Sequence, residues 1–268
     1  KYFDSYTAVI GDECHTFKAK SLTSIMTKLH EAKYRIGFTG TLDGTKTHRL
    51  VLEGLFGLSD RVTSTADLMK RDQLTQLKIK ILALKHESYK FANYQDEMEY
   101  IVTHGKRNTF IKNLVSDLKG NTLVLFNYVE KHGEPLFDLI NKSIGDTKKV
   151  FFVHGGVEAS EREEIRRLAE VNDNCVIIAS YGTFSTGINI KNLHNIIFAS
   201  PSKSRIRNLQ SIGRVLRKGD NKAQAVLYDI ADDFSRGSYI NYTLNHLKER
   251  IKVYNEEQFN YEIIPVNI

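Results

Sequence analysis

Two adjacent carboxylates, Asp12 and Glu13, follow directly on the apolar run Ala8-Val9-Ile10-Gly11, and Cys14 and His15 complete the tetrapeptide. Such a run predicts a strand, and the C-terminal edges of strands in open α/β sheets are where ligands bind. One carboxylate there can hold Mg²⁺ through oxygen, while its neighbour orients or deprotonates a water that attacks a phosphoryl group. Thr39-Gly40-Thr41 follows the next apolar run, Tyr34 to Phe38, and offers two hydroxyls around a flexible glycine.

Two further segments lie in the second half. The stretch Ser180 to Asn189 follows the apolar run from Cys175 and supplies hydroxyls, Gly182, Gly187 and the start of a short helix, all suited to phosphate oxygens. Gln210, Arg214 and Arg217 stand at i, i+4 and i+7, which predicts three donors aimed from one helical face. Guanidinium forks so placed can clamp a transferring phosphoryl group. From Ala199 to Lys222 there are seven Lys or Arg against one acid, Asp220. Singly, each segment would pass for a solvated turn or a basic helix.

The elements that must carry these residues alternate. Strands are predicted at Tyr6 to Ile10, Tyr34 to Phe38 and around Leu77, Ile79 and Ile81, with helices between them. After a polar stretch with a short helix around Asp96 to Val102, the alternation restarts with a helix through Phe110, Ile111, Leu114, Val115 and Leu118. Strands at 122–126, 149–153, 175–180, 195–199 and 225–230 follow, and then a helix through Ile240, Leu244, Leu247, Ile251 and Tyr254. Strands separated by helices predict a parallel sheet covered on both faces. The sequence divides accordingly into a first domain over residues 1–84, a connection over 85–107 and a second domain over 108–268.

Composition narrows the class. The 268 residues are 41% hydrophobic and 26% charged, as in a globular protein, and the net charge of +6 favours a polyanionic partner. No apolar run approaches the roughly 20 residues that span a bilayer. The two cysteines, Cys14 and Cys175, are too far apart to suggest a zinc site or a disulfide framework, so a cytoplasmic location is expected.

In this order and at these separations, Asp-Glu-Cys-His, Thr-Gly-Thr, the segment Tyr181 to Asn189 and Gln-x-x-Gly-Arg-x-x-Arg resemble motifs II, III, V and VI of the superfamily-two helicases. His154 to Glu163 resembles the family's motif IVa, so the similarity covers nearly the whole chain. The resemblance implies an α/β protein of two RecA-like parallel-sheet domains, the first present only as its C-terminal part, with ATP and Mg²⁺ between them and a nucleic-acid strand across both. Asp12 would hold Mg²⁺ and Glu13 would activate water. His15, Thr39 and Thr41 would couple nucleotide state to domain movement. Gly187 and Asn189 would approach the nucleotide, Gln210, Arg214 and Arg217 would reach its phosphates, and Gly155 and Thr183 would touch the nucleic-acid backbone.

The implied activity is an ATP-dependent DNA helicase or branch-migration motor of recombination, replication or repair. It would act as a monomer on branched or single-stranded DNA and on RNA–DNA hybrids. An RNA helicase, a restriction-type translocase, a nucleic-acid-binding module without catalysis and a metal-dependent hydrolase built on Asp12, Glu13 and His15 are the alternatives. No G-x-x-x-x-G-K-[ST] loop occurs in residues 1–268. The expectation is that this loop lies upstream, and that the chain by itself hydrolyses ATP feebly or not at all.

Overall fold

Two short strands, β1 (Ala8–Gly11) and β2 (Tyr34–Gly37), pair in parallel with Ala8 opposite Tyr34. Both end in glycine for a steric reason: a Cβ on Gly11 or Gly37 would lie 2.8 or 2.9 Å from the ring of Phe56. Phe56 comes from α2 (Lys46–Phe56) and meets Phe17 edge to face at 5.2 Å. With α1 (Lys20–Lys28) these elements enclose a small core of Met26, Leu29 and Ala32. The other sheet face is bare, because Ile10 is 68%, Tyr34 58% and Ile36 45% exposed.

The structure, a computed structural model, describes residues 2–187, 190–219, 222 and 224–268. By contact it divides into two units, Lys1–Ser64 with Ser204–Gln210 and Thr65–Lys203 with Ser211–Ile268. The second unit is built on a seven-stranded sheet. Its strands are β3 (Gln76–Lys85), β4 (Thr122–Phe126), β5 (Lys149–Val153), β6 (Cys175–Ser180), β7 (Asn195–Phe198), β8 (Gln224–Asp233) and β9 (Tyr261–Asn267). All pair in parallel, in the order β5-β6-β4-β7-β8-β3-β9.

The uninterrupted apolar runs of β4 and β6 occupy interior positions, where both faces are covered and no polar alternation is needed. Helices α3 (Thr65–Lys70), α4 (Tyr94–Thr103), α5 (Gly105–Asp117), α6 (Glu134–Ile144), α7 (Ala159–Val171), α8 (Tyr181–Gly187) and α10 (Tyr242–Glu256) complete the unit. Ile111 and Val115 of α5 and Leu136 and Ile140 of α6 pack on Val124, Phe126 and Ile178 of the sheet. The helix α9 (Arg205–Val215) includes residues of both units.

Three expectations change. The strand containing Leu77, Ile79 and Ile81 does not join the first sheet: it is β3, hydrogen-bonded between β8 and β9. Residues 85–107, read as a connection with a short helix over 96–102, do contain that helix, as α4, together with the start of α5, but Met98, Ile101 and Val102 are fully buried and pack into the second unit. A further strand, β9, closes the sheet edge next to β3. Periodicity identifies a strand, whereas its neighbours are chosen by long-range packing that no local pattern encodes.

Candidate active-site residues in each unit

In the first unit Asp12 and Glu13 occupy the turn at the C-terminal end of β1. Glu13 has φ of 46°, a left-handed conformation that costs a non-glycine residue energy and recurs at functional sites. Its backbone N–H donates to Asp12 Oδ1 at 2.8 Å. Both side chains remain exposed, and Asp12 is left with its second oxygen for a ligand. Among the described residues no group of three or more His, Cys, Asp or Glu is placed to hold a metal. A Mg²⁺ ion, which takes one or two carboxylates and completes its shell with phosphate and water oxygens, fits the single carboxylate of Asp12. The Cys14 thiol is pushed up by its burial and by the Glu13 and Asp12 carboxylates, which disfavours the thiolate.

The turn after β1 is tied to the turn after β2. Cys14 N–H donates to Phe38 O at 2.9 Å, and the buried His15 brings Nδ1 within 2.9 Å of Thr39 Oγ1 and 3.1 Å of Glu13 Oε2. Thr39 Oγ1 donates to Thr41 O at 3.0 Å, which leaves a lone pair for an Nδ1–H of His15 and assigns that tautomer. The links continue: His48 Nε2 donates to His15 O at 2.8 Å, and His48 Nδ1 lies 2.9 Å from Asp43 Oδ2. Burial works to raise the Asp43 carboxyl, but hydrogen bonds from the Thr45 N–H and hydroxyl, together with His48, outweigh it and hold the carboxyl at about 2. Asp12, Glu13, His15, Thr39 and Thr41 are therefore gathered, with Thr41 Oγ1 buried and lacking a partner among the described residues. Asp43 and His48 were not foreseen, since nothing in a D-G-T turn or a helical histidine announces the contact.

In the second unit the segment after β6 forms α8. The Ser180 hydroxyl donates to Thr183 Oγ1 at 2.8 Å and accepts the Thr183 N–H at 3.3 Å. Thr183 is buried, and Gly187 is the last residue of α8, while Asn189 lies outside the described residues. Gly155 stands in the exposed turn after β5, where a Cβ would meet nothing within 4 Å.

The helix α9 contains Gln210 and Arg214 but ends at Val215, so Arg217 is not on the same helical face and the i, i+4, i+7 array is corrected. The cause lies in the partners of its last carbonyls. Thr75 N–H donates to Leu216 O at 2.8 Å, and the buried Lys222 ammonium donates to Val215 O and, at 3.2 Å, to Arg217 O. Burial pushes Lys222 down to about 8. A cation at a helix C-terminus also complements the helix dipole. The Arg214 guanidinium lies 5.6 Å from the centre of the Phe184 ring of α8.

Behind these segments are buried ion pairs that the sequence did not announce. Arg250 of α10 donates from Nε to Asp229 Oδ2 at 2.8 Å and from Nη1 to Ser202 O at 3.2 Å, and Tyr254 adds its hydroxyl to Asp229 Oδ2 at 2.8 Å. Tyr181, which opens α8, donates to Ser200 O at 3.2 Å. The peptide between β7 and α9 is thus held by α10 and by α8. Nearby, Arg107 donates to Asp232 at 2.8 Å and to Ala199 O at 2.7 Å, and His132 meets the Ser200 hydroxyl at 3.0 Å.

Residues 105–219 match the family described as helicase conserved C-terminal domain. Over its whole length the chain is 35% identical to the ATP-dependent DNA helicase uvsW of Enterobacteria phage T4, covering 56% of that protein. It is 22% identical, over 98% of its length, to 54% of a putative ATP-dependent RNA helicase, L396, of Acanthamoeba polyphaga mimivirus. The chain thus spans about half the length of these relatives. Superposition on the crystal structure of T4 UvsW gives a TM-score of 0.62 at 34% identity, covering 99% of this chain and 55% of that one. A fragment of a putative HsdR subunit of a type I restriction enzyme from Vibrio vulnificus YJ016 gives 0.72 at 15% identity, over 99% and 49% of the two chains, and shares the fold. Among the described residues no helix is long and apolar enough to cross a membrane.

Proposed function

The chain belongs to the superfamily-two helicases, with their conserved C-terminal domain over residues 105–219, and from that premise we propose that it is the coupling half of an ATP-driven DNA motor that unwinds branched DNA and RNA–DNA hybrids. The observation that carries the proposal is the path from Glu13 Oε2 through His15 Nδ1 to Thr39 Oγ1, with steps of 3.1 and 2.9 Å. A water-activating carboxylate and a hydroxyl-bearing turn on separate strands are joined through one imidazole, so a change of ligand at one is felt at the other.

In this proposal Asp12 holds Mg²⁺, which when bound neutralises charge on the phosphates, and Glu13 orients the attacking water. Arg214, with Gln210 and Arg217, stabilises charge on the transferring phosphoryl group, and Gly187 approaches the nucleotide. Gly155 and Thr183 face the strand backbone, which a motor indifferent to sequence must grip through phosphates. The bare face bearing Ile10, Tyr34 and Ile36 supports reading β1 and β2 as part of a larger RecA-like domain, since parallel sheets are covered on both faces. The helices that cover it, and the phosphate-cradling loop, would come from outside residues 1–268. The motor would work as a cytoplasmic monomer.

The test is DNA-stimulated ATP hydrolysis by the full-length protein, with Glu13→Gln beside wild type. Loss of a general base lowers the rate by about 10²- to 10⁴-fold. Strand binding should survive. Unchanged hydrolysis in Glu13→Gln would remove the assigned role, and full hydrolysis by residues 1–268 alone would remove the need for an external loop.

A further inference from the structure

Between β3 and α4 the chain builds an aromatic shelf that none of the motifs uses. Tyr89 and Tyr100 are 58% and 43% exposed, and their rings are nearly parallel, 4° apart in plane with centroids at 6.1 Å. Exposed tyrosines are ordinarily mobile, but these are backed by a packed cluster. Phe91, buried, meets Tyr89 at 4.7 Å and Tyr100 at 5.5 Å, and the buried Phe234 meets Phe91 at 5.0 Å and Tyr100 at 5.6 Å. The strap carrying Tyr89 is pinned where Phe91 N–H donates to the Tyr239 hydroxyl at 3.3 Å. Tyr89, Lys90, Phe91, Ala92, Asp96 and Tyr100 line a cavity of about 400 Å³.

We propose that this cavity binds one unpaired nucleotide of a single strand, with its base stacked on the tyrosine rings. Each feature of the lining contributes. Rigid aromatic faces accept any base, because every base has a π-face. Lys90 supplies an ammonium for the adjoining phosphate. Asp96 supplies a carboxylate that accepts from an exocyclic amino group, as acids do from cytosine N4. Lys90 also argues against a cationic guest, which aromatic rings beside a carboxylate would otherwise suit. Lys131 is engaged by Glu99 at 2.8 Å, and Lys90 shares the lining with the acidic Asp96. The cavity is therefore not a phosphate-tracking groove, and stacking must supply most of its affinity. The base must be unpaired, since bases in a duplex have both faces covered. The inference rests on the nucleic-acid side of the proposed function and is independent of ATP hydrolysis.

The experiment uses the 268-residue chain without ATP, a fluorescent oligo(dC) strand, and melting temperatures as a control for folding. Tyr89→Ala and Tyr100→Ala should each weaken binding about 5- to 150-fold, the range that stacking on one aromatic ring provides. Tyr89→Phe should stay within about twofold because the ring face is kept. The dependence of affinity on salt should not change, since no phosphate contact is lost. Asp96→Asn should narrow the preference for oligo(dC) over oligo(dT), and a strand carrying 5-iodo-deoxycytidine should photocrosslink to Tyr89 or Tyr100. Alanine variants that fold and bind like wild type, with no crosslink at either tyrosine, would overturn the proposal, as would a wild-type chain that does not bind the strand. Binding of an arginine-rich peptide at these tyrosines in place of the strand would also overturn it, as would equal occupancy by free deoxycytidine monophosphate. All of these readouts are taken without ATP, so failure of the ATPase role remains distinguishable.

Discussion

Arg250 Nε and Asp229 Oδ2 lie 2.8 Å apart with both side chains buried, joining α10 to β8 beneath the peptide that leads from β7 into α9. Removing one partner strands the other charge. Arg250→Met should therefore destabilise the second unit by about 3–5 kcal/mol, whereas Arg250→Met combined with Asp229→Leu should recover part of that loss. Urea unfolding of the single and double variants measures both, and equal stability of Arg250→Met and wild type would contradict the pairing.

Glu97 makes a second buried bridge. Its carboxylate accepts the Tyr242 and Thr243 N–H groups, each at 2.8 Å, and the Asn241 side-chain amide at 2.7 Å, capping the first turn of α10 from α4. Glu97→Ala leaves these donors buried without acceptors and should cost about 1–3 kcal/mol. Hydrogen exchange should show the first turn of α10 opening before the rest of that helix.

Acid should weaken the fold in a definite window. Burial, together with Arg107, holds His132 down at about 3, below its ordinary value of 6.5, although Asp232 pulls the other way. The unfolded chain binds more protons between these values, so the stability from neutral His132 is complete above about 6.5 and is lost as pH falls toward 3. Asp43, held at about 2, adds a second loss below its ordinary value of 3.8. Melting temperatures from pH 7.5 to 4 should fall, and His132→Gln should flatten the upper part of that slope.

The contact of His15 with Thr39 makes a kinetic prediction. Thr39→Val in the full-length protein keeps the size of the side chain but removes the hydroxyl that lies 2.9 Å from His15 and 3.0 Å from Thr41 O. If the imidazole couples the two turns, the DNA-stimulated rate should fall by the equivalent of about 0.5–2 kcal/mol of coupling. ATP affinity should stay near wild type. A fall in affinity with an unchanged rate would show that Thr39 binds nucleotide and couples nothing.

Much of the candidate site was legible because it is local. Asp12, Glu13 and Thr39 come directly after short apolar runs, and such runs form parallel strands whose ends present the next residues to a ligand. Gln210 and Arg214 likewise fall on a predictable helix, but its end depended on Thr75 and Lys222 reaching its last carbonyls, so the place of Arg217 was not readable. Sequence alone thus determined the α/β alternation, the basic balance and the order of the chemical segments, because these follow from period, composition and spacing. Only the tertiary structure decided that β3 joins β8 and that Arg107 meets Asp232, 125 positions away. It alone set Tyr89 beside Tyr100. Strand neighbours and partners of buried charges are selected by burial across distant parts of the chain, and that selection leaves no local pattern.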